Sequence, residues 1–339
     1  MPGSTRRFER QVRFAPLGAA GQERLERGSV LLVGCGALGG VVAQLLVRSG
    51  VGRLAIVDRD VVDETNLARQ VLFEERHARE RALKVDAARE ALARIGGPTR
   101  IETHAAHVGP ENLGELARDA DVLVDGTDNL ATRYLVNDYC VERGRPWIYG
   151  GVVGGAGLVL AVLPGAGACL RCLFPDPPAP GALPTCETAG VLAPAVGAVA
   201  ALQAGLAQRV LAGDPPKPRL LELDAWNGNV RSLAAERRAD CPCCARREFP
   251  FLAAPRSRRA LVLCGRNAVQ VLAARGTPDV EALARAVAPV AKSVRRAGDM
   301  LRFEIDEHRV TLFADGRALV EGTEDEGRAL ALYDRYVGC

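Results

Sequence analysis

A glycine-rich turn is the first feature of this sequence that indicates ligand chemistry. Gly34, Gly36 and Gly39 form a G-x-G-x-x-G pattern between an apolar run and a helical stretch, and Asp58 ends the next apolar run. Such glycines allow a tight turn and a close approach of phosphates to a helix N-terminus, and the acidic residue can bind ribose hydroxyls. A glycine turn can also serve packing alone. In this context the pattern predicts nucleotide binding without identifying the nucleotide.

Charged residues after Asp58 narrow the choice of nucleotide. A dehydrogenase would usually enter its next helix directly, whereas here a polar stretch runs from residue 60 to 70 and contains Arg69. Lys84 follows on the next helix, and Asp128 stands at the end of a later strand, where open α/β sheets bind ligands. Taken singly, Arg69 also fits a solvated surface residue and Asp128 a helix N-cap. Together with the glycine turn, these charges favour phosphate chemistry with Mg²⁺.

Two Cys-x-x-Cys pairs indicate a metal site. Cys169 with Cys172 and Cys241 with Cys244 supply four thiolates, the ligand set of a closed tetrahedral zinc site. The 68 residues between the pairs exceed the spacing of a compact zinc ribbon, and the alternative is a set of unrelated buried cysteines. Cys243 makes the second pair ambiguous. We expect Cys244 to bind zinc and Cys243 to be a spare thiol.

Composition excludes several classes of protein. The chain has 339 residues, 48% of them hydrophobic and 25% charged, so it is not a disordered chain. A net charge of +3 gives no overall field for nucleic acid. The first residues lack the apolar run of a secretory signal, and the least polar stretch, residues 190–213, carries polar residues that favour a buried helix over a membrane span. Ten cysteines without such a signal predict a reducing cytoplasm.

The residues of the predicted nucleotide site can meet only in a fold that brings the ends of several strands together. Apolar runs at 29–34, 53–58 and 121–126 alternate with helical stretches such as 79–95, which predicts a doubly wound, Rossmann-like and mostly parallel sheet. Glycine-rich strands follow after Trp147 and extend this sheet with antiparallel strands. The later elements are a proline-rich loop at 175–184, a helix at about 195–212 and a hairpin with a two-residue turn at Asn227-Gly228.

The last part of the chain has a different pattern. Residues 301–306, 309–314 and 317–322 alternate apolar and polar side chains and predict an antiparallel meander, flanked by helices near 278–288 and 324–337. This is a small α+β domain to which no role can be assigned. The expected divisions are an N-terminal arm over 1–28, a nucleotide-binding domain with the zinc site over 29–247, and the C-terminal domain over 248–339.

At these motifs the sequence resembles the MoeB/ThiF/HesA family, whose members are relatives of the ubiquitin-activating enzymes. The resemblance covers roughly residues 5–247. Its elements, in order, are Phe8-Glu9-Arg10-Gln11, the glycine turn, Asp58-x-Asp60, Asn66-Leu67-x-Arg69-Gln70, Lys84, Thr127-Asp128-Asn129, the two cysteine pairs, and Thr185-Cys186-Glu187 followed by Gly190-Val191.

The resemblance implies an ATP-dependent adenylyltransferase. In that reaction the C-terminal glycine of a ubiquitin-like sulfur carrier, ending in Gly-Gly, attacks the α-phosphate of ATP and releases pyrophosphate, as in thiamine, molybdopterin or related sulfur-transfer pathways. The carboxylate is already ionised, so catalysis needs positioning and cationic stabilisation rather than a general base. Two alternatives are an NAD-dependent oxidoreductase on the same fold, which the 66–69 and 127–129 elements disfavour, and a non-catalytic scaffold stabilised by zinc.

The resemblance also implies roles for individual residues. Asp58 binds the ribose, Arg69 and Lys84 bind phosphates, Asp128 holds Mg²⁺, and Arg10 reaches the ATP site of the partner subunit in a homodimer. A cysteine matching Cys186 can form a covalent link to the activated carrier in some relatives, but a bystander thiol is an equal alternative. The nucleotide-binding set is completed by Gly34, Gly36, Gly39, Asp60, Asn66 and Asn129.

Overall fold

The computed structural model describes residues 4–177, 189–253, 259–263, 267–272 and 279–337. The chain divides into two units, Met1–Ala254 and Pro255–Cys339, so the division falls a little after the boundary expected at residue 247. The proline-rich loop expected at 175–184 lies mostly outside the described residues. Cys186 lies outside them as well.

An eight-stranded sheet forms the centre of the first unit, in the order β3-β2-β1-β4-β5-β6-β7-β8. The first five strands pair in parallel, and β6, β7 and β8 join antiparallel. Both β1 and β4 are buried along their whole length, as expected where helices cover both faces of a parallel sheet. The predicted Rossmann-like sheet is therefore confirmed. The strands are β1 Ser29–Val33, β2 Arg53–Val57, β3 Arg100–His104, β4 Val122–Asp125, β5 Trp147–Val153, β6 Ala156–Val162, β7 Arg219–Asp224 and β8 Asn229–Ala234.

Helices connect these strands and cover the sheet. The longest packs against α4, β5 and β6 and is rich in buried alanine and valine. None of the described helices is long and apolar enough to span a membrane. The helices are α1 Ser4–Arg7, α2 Glu9–Val12, α3 Gly18–Arg27, α4 Ala37–Ser49, α5 Glu75–Glu80, α6 Lys84–Ile95, α7 Leu113–Leu116, α8 Leu130–Arg143, α9 Leu170–Leu173 and α10 Ala193–Leu211, with a 3₁₀ turn at Glu64–Asn66.

Two local expectations are wrong in detail. The helix expected over 79–95 is two helices, because Arg81 has φ +49° and interrupts the chain between α5 and α6. The hairpin between β7 and β8 closes with a four-residue loop, 225–228, rather than a two-residue turn. The carboxylate of Asp224 organises this loop by accepting the backbone N–H groups of Trp226 and Asn227.

Within its described residues, the second unit is a six-stranded antiparallel sheet with two helices, in the strand order β11-β12-β13-β14-β10-β9. Its core includes Phe303, Leu312, Val320 and Tyr333. The predicted α+β meander is confirmed and corresponds to β12, β13 and β14, whereas β9, β10 and β11 were not expected from the sequence. The elements are β9 Arg259–Leu263, β10 Ala268–Leu272, α11 Val280–Val287, β11 Ser293–Ala297, β12 Met300–Ile305, β13 His308–Leu312, β14 Ala318–Glu321 and α12 Glu326–Tyr336.

Candidate functional site

The glycines of the turn after β1 fall into two kinds. Gly34 has φ +91°, and a Cβ atom on Gly39 would lie 2.1 Å from the carbonyl oxygen of Gly34. A Cβ on Gly126, which follows β4, would lie 2.3 Å from the same oxygen. These three glycines let α4 pack closely on the ends of β1 and β4. Gly36 differs, because a Cβ there would have only the Gln70 amide nitrogen, at 3.8 Å, within 4 Å.

Gly36 therefore borders open space at the N-terminus of α4. It is the N-cap residue of this helix, which runs for 13 residues. The first N–H groups of a helix lack partners within the helix, and the helix dipole favours negative charge at this end. The turn can accept a phosphate at this point.

The carboxylate of Asp58 joins the glycine turn to the following loop. One oxygen accepts the backbone N–H of Cys35 and the other that of Asp60, each at 2.7 Å. Burial raises the pKa of Asp58, and the nearby Lys84 ammonium opposes this effect. The buried Lys84 in turn contacts Asp60 at 3.0 Å. A carboxylate has about four lone-pair sites, so Asp58 can still accept ribose hydroxyls.

Two buried amides beside the glycine turn have polar atoms without partners. Asn66 is fully buried and its side-chain oxygen accepts the Asp63 backbone N–H at 3.1 Å, but its Nδ2 has no partner among the described residues. The same holds for the Oε1 of Gln70, which is 5% exposed. Half-buried Arg69 donates to the Thr65 carbonyl at 2.7 Å. Since buried polar atoms are nearly always paired, these two favour a bound ligand at this point.

A charge pair that sequence reasoning missed joins the end of β4 to α8. Asp125 is 2% exposed and accepts the Thr127 N–H and hydroxyl, at 2.9 and 2.7 Å, and the Arg133 Nε at 2.9 Å. Burial raises the pKa of Asp125, and Arg133 opposes this effect. Asn129, rather than Asp128, caps α8, by accepting the Thr132 N–H at 3.2 Å. This leaves Asp128 exposed.

The N-terminal arm is fastened to the first unit. Phe8 is buried against Gly50, where a Cβ would lie within 2.4 Å of the phenyl ring. Gln11 donates to Gln22 at 2.6 Å and to the Ser49 carbonyl at 3.0 Å. Arg10 lies between these two anchors, is exposed, and makes no hydrogen bond or ion pair with any described residue. The arm is thus not a freely solvated tail, although Arg10 does not reach the glycine turn of its own subunit in these contacts.

Four cysteines converge at a second place in the same unit. The sulfur atoms of Cys169, Cys172, Cys241 and Cys244 all lie within 4.8 Å of one another, with nearest separations of 3.4 to 3.8 Å. A tetrahedral zinc ion with bonds of about 2.3 Å places its sulfur ligands about 3.8 Å apart. The cluster therefore fits zinc. Cys243 is outside it and accepts a hydrogen bond from Asn137 at 3.3 Å.

A buried ion pair supports the chain around these cysteines. The guanidinium of Arg171 lies 3.4 Å from Asp138 on α8 and 5.5 Å from the centre of the Phe251 ring. It also donates to the Glu248 carbonyl at 3.0 Å. The pair thereby links the cysteine-bearing segments to α8.

The structure thus brings most of the expected nucleotide-binding residues to one edge of the sheet. Hydrogen bonds connect the glycine turn, Asp58, Asp60 and Lys84, and the close packing of Gly126 on Gly34 brings the loop that carries Asp128 beside them. Arg10 and the cysteine cluster make no contact with this group among the described residues.

Comparison with known proteins identifies the class of protein to which this fold and site belong. The sequence model described as the ThiF family matches residues 8–243, and the chain belongs to this family. The expected membership of the MoeB/ThiF group is confirmed.

Two relatives support this assignment, and one solved structure supports the fold. The chain is 39% identical over 338 residues to the sulfur carrier protein ThiS adenylyltransferase of Bacillus subtilis (strain 168), covering 98% of this chain and 100% of the relative. It is 40% identical over 245 residues to a sulfur carrier protein adenylyltransferase of Thermus thermophilus, covering 70% and 90%. A crystal structure of Escherichia coli MccB with ATP has a TM-score of 0.62 and 23% identity, over 72% of this chain and 76% of that one, which supports the fold.

Proposed function

We propose that this protein is an ATP-dependent adenylyltransferase that activates the C-terminal glycine of a ubiquitin-like sulfur carrier protein. The observation that carries the proposal is the open space at Gly36 on the N-terminus of α4, close to Asp58, Lys84 and two buried amides that each have one unpaired polar atom among the described residues. The chain is also similar over 98% of its length to a ThiS adenylyltransferase. That full-length similarity favours a ThiS-like carrier, and hence thiamine synthesis, over a carrier of molybdopterin synthesis.

The reaction needs charge stabilisation and alignment. A carboxylate oxygen of the carrier forms a bond to the α-phosphorus of ATP, the bond from that phosphorus to its bridging oxygen breaks, and pyrophosphate leaves with the electron pair. No proton moves. Gly36 and the N-terminus of α4 bind phosphate oxygens, Lys84 and Arg69 offset their charge, and Asp58 holds the ribose. Lys84 has three N–H donors, so it can contact a phosphate while it remains beside Asp60.

The two metals have different tasks. Mg²⁺ is usually bound by one or two carboxylates together with substrate phosphates, and exposed Asp128 beside the glycine turn fits that pattern. Bound Mg²⁺ would offset phosphate charge. Zinc would be held by Cys169, Cys172, Cys241 and Cys244, a closed set of four thiolates that leaves no position for substrate, so its role is structural.

The reaction takes place in the cytoplasm in this proposal. The seven cysteines within the described residues form no disulfides, which suits a reducing compartment.

Cys186 acts after adenylation, when its thiol displaces AMP from the activated carrier to form a thioester. Replacement of Cys186 by alanine should therefore leave adenylation intact.

Pyrophosphate exchange tests the proposed function. With a ThiS-like carrier and Mg²⁺, the enzyme should exchange labelled pyrophosphate into ATP, because adenylate formation is reversible. Lys84→Ala and Asp128→Ala should each reduce the exchange rate by about 10²-fold, because both remove charge stabilisation. Lys217→Ala, at an exposed position outside the site, is the matched control, and Cys186→Ala should also retain exchange. Binding of NAD instead of ATP, or exchange that does not depend on a carrier, would contradict the proposal.

Arg10 completes the ATP site of the partner subunit in a homodimer. The guanidinium is exposed and has no partner among the described residues of its own subunit, which supports this placement. Arg10→Ala and Asp128→Ala homodimers should each be nearly inactive. When their subunits are mixed equally, half of the dimers are mixed and each has one intact site, so about a quarter of all sites should recover. No recovery, with subunit exchange verified by mass, would show that Arg10 serves its own subunit or neither.

A further inference from the structure

The residue that precedes Asp128 is held at all of its polar groups. The Thr127 N–H and hydroxyl both donate to one oxygen of Asp125, at 2.9 and 2.7 Å, and the Thr127 carbonyl accepts from Arg133 at 2.6 Å. The second oxygen of Asp125 accepts from the Nε of Arg133 at 2.9 Å. A single ion pair therefore fixes the backbone on both sides of Thr127.

Neighbouring elements fix the pair itself. Arg133 also donates to the Gly150 carbonyl of β5 at 3.0 Å, and its guanidinium lies 5.3 Å from the centre of the Tyr149 ring. Gln203 of α10 donates to the backbone carbonyl of Asp125 at 2.7 Å. Because β4, β5, α8 and α10 all contribute, a rotation of the guanidinium would break several contacts at once.

The glycine turn packs against the loop that carries Thr127, on the side away from Arg133. A Cβ on Gly126 would lie 2.3 Å from the Gly34 oxygen and 2.9 Å from the Cα of Gly39. The loop from Asp125 to Asp128 thus has backbone against it on one side and the Arg133 fork on the other. Its position relative to the glycine turn is set by these two contacts.

We propose that Asp125 and Arg133 are a positioning pair that sets the place of the Asp128 carboxylate relative to the phosphates of Mg²⁺-bound ATP. The inference rests on the proposed function for its assignment of Asp128 to the nucleotide. Asp125 is buried and Arg133 is largely buried, with side chains 2% and 11% exposed, and both act through the loop rather than on the substrate. A displacement of about 1 Å in such a loop is enough to weaken a site strongly.

A double-mutant cycle distinguishes positioning from general structural support. Arg133→Lys keeps the charge but cannot contact Asp125, Thr127 and Gly150 at once, because the ammonium is a point charge rather than a planar fork. The matched control is Arg171→Lys, which alters the other buried arginine–aspartate pair anchored on α8. Each is combined with Asp128→Asn. The measured quantity is the dissociation constant of ATP by calorimetry, with Mg²⁺ and with EDTA.

The positioning role predicts strong coupling between Arg133 and Asp128. Arg133→Lys should raise the dissociation constant of ATP about tenfold with Mg²⁺ and change it by less than about twofold in EDTA. Adding Asp128→Asn to this variant should then raise the dissociation constant with Mg²⁺ by less than about a further twofold. In the Arg171→Lys background, Asp128→Asn should keep its full effect. Additive losses in the Arg133 background, or the same coupling in both backgrounds, would overturn the inference.

A milder variant keeps the test decisive if Arg133→Lys does not fold. Thr127→Val has nearly the same shape and removes only the hydroxyl that donates to Asp125. It should raise the dissociation constant of ATP with Mg²⁺ about threefold. Its effect and that of Asp128→Asn should again be less than additive. Wild-type affinity in this folded variant would overturn the inference. Coupling in ATP binding, together with no carrier-dependent exchange by the wild type, would refute the proposed function and leave the positioning pair supported.

Discussion

Replacing single glycines of the turn after β1 should separate nucleotide binding from packing. A methyl group on Gly39 would lie 2.1 Å from a backbone oxygen, so the start of α4 would have to move, at a cost of about 3 kcal/mol of unfolding free energy. A methyl group on Gly36 has its nearest neighbour at 3.8 Å, and φ there is −81°, so Gly36→Ala should cost less than about 1 kcal/mol. The two variants carry the same chemical change three residues apart.

Their effects on ATP affinity should have the opposite order to their effects on stability. Gly36→Ala should weaken ATP binding more than Gly39→Ala, although it costs less unfolding free energy. The methyl group of Gly36→Ala occupies the space where a phosphate meets the N–H groups of α4. Loss of one charge-assisted hydrogen bond costs about 2 kcal/mol, which raises the dissociation constant about 30-fold. Calorimetric titration with Mg²⁺ and ATP measures the affinity, and urea unfolding measures the stability. Wild-type ATP affinity in a folded Gly36→Ala protein would refute the argument, because the glycine turn would then serve packing alone.

Two further predictions concern the metal and an ion pair. Elemental analysis should find about one zinc per chain. Cys172→Ala should lose the metal and lower the melting temperature, whereas Cys243→Ala should keep the metal. Equal loss of metal from both variants would show that Cys243 is a ligand. The Arg53 guanidinium donates to Glu102 and lowers the pKa of that carboxyl, so the resulting stability is present above the unfolded pKa of about 4.3 and is lost as pH falls through the lower folded pKa. Glu102→Gln should therefore reduce the unfolding free energy by about 1 kcal/mol at pH 7 and by less at pH 3, and an equal reduction at both would contradict this cause.

The parts of the fold that follow from sequence are those that local pattern determines. Apolar runs predict β1, β2 and β4 because these strands are buried on both faces. β3 was not predicted because it lies at the edge of the sheet. Its residues, Arg100–His104, are mostly polar and stay at least partly exposed, so they form no apolar run. The interruption at Arg81 has no signal in the spacing of apolar residues, which continues across it.

The candidate site divides in the same way. Glycine spacing indicated the turn, but only the packed neighbours show that Gly39 serves the fold and Gly36 borders open space. Asp125 ends a buried strand, which could have suggested a buried charge, yet its partner Arg133 becomes evident only when α8 is placed against β5. The choice between Cys243 and Cys244 likewise depends on the direction of two adjacent side chains, which spacing does not determine.

The intact mass of the carrier is the most direct test of the account. A ThiS-like carrier incubated with this enzyme, ATP and Mg²⁺ should gain the mass of one adenylyl group at its C-terminal carboxylate, and a carrier without its last glycine should gain none. Pyrophosphate should be released when the adenylate forms, and AMP should be the only nucleotide product after hydrolysis of the adenylate. An unchanged carrier mass while ATP binds normally, or release of ADP and phosphate, would contradict carrier adenylation.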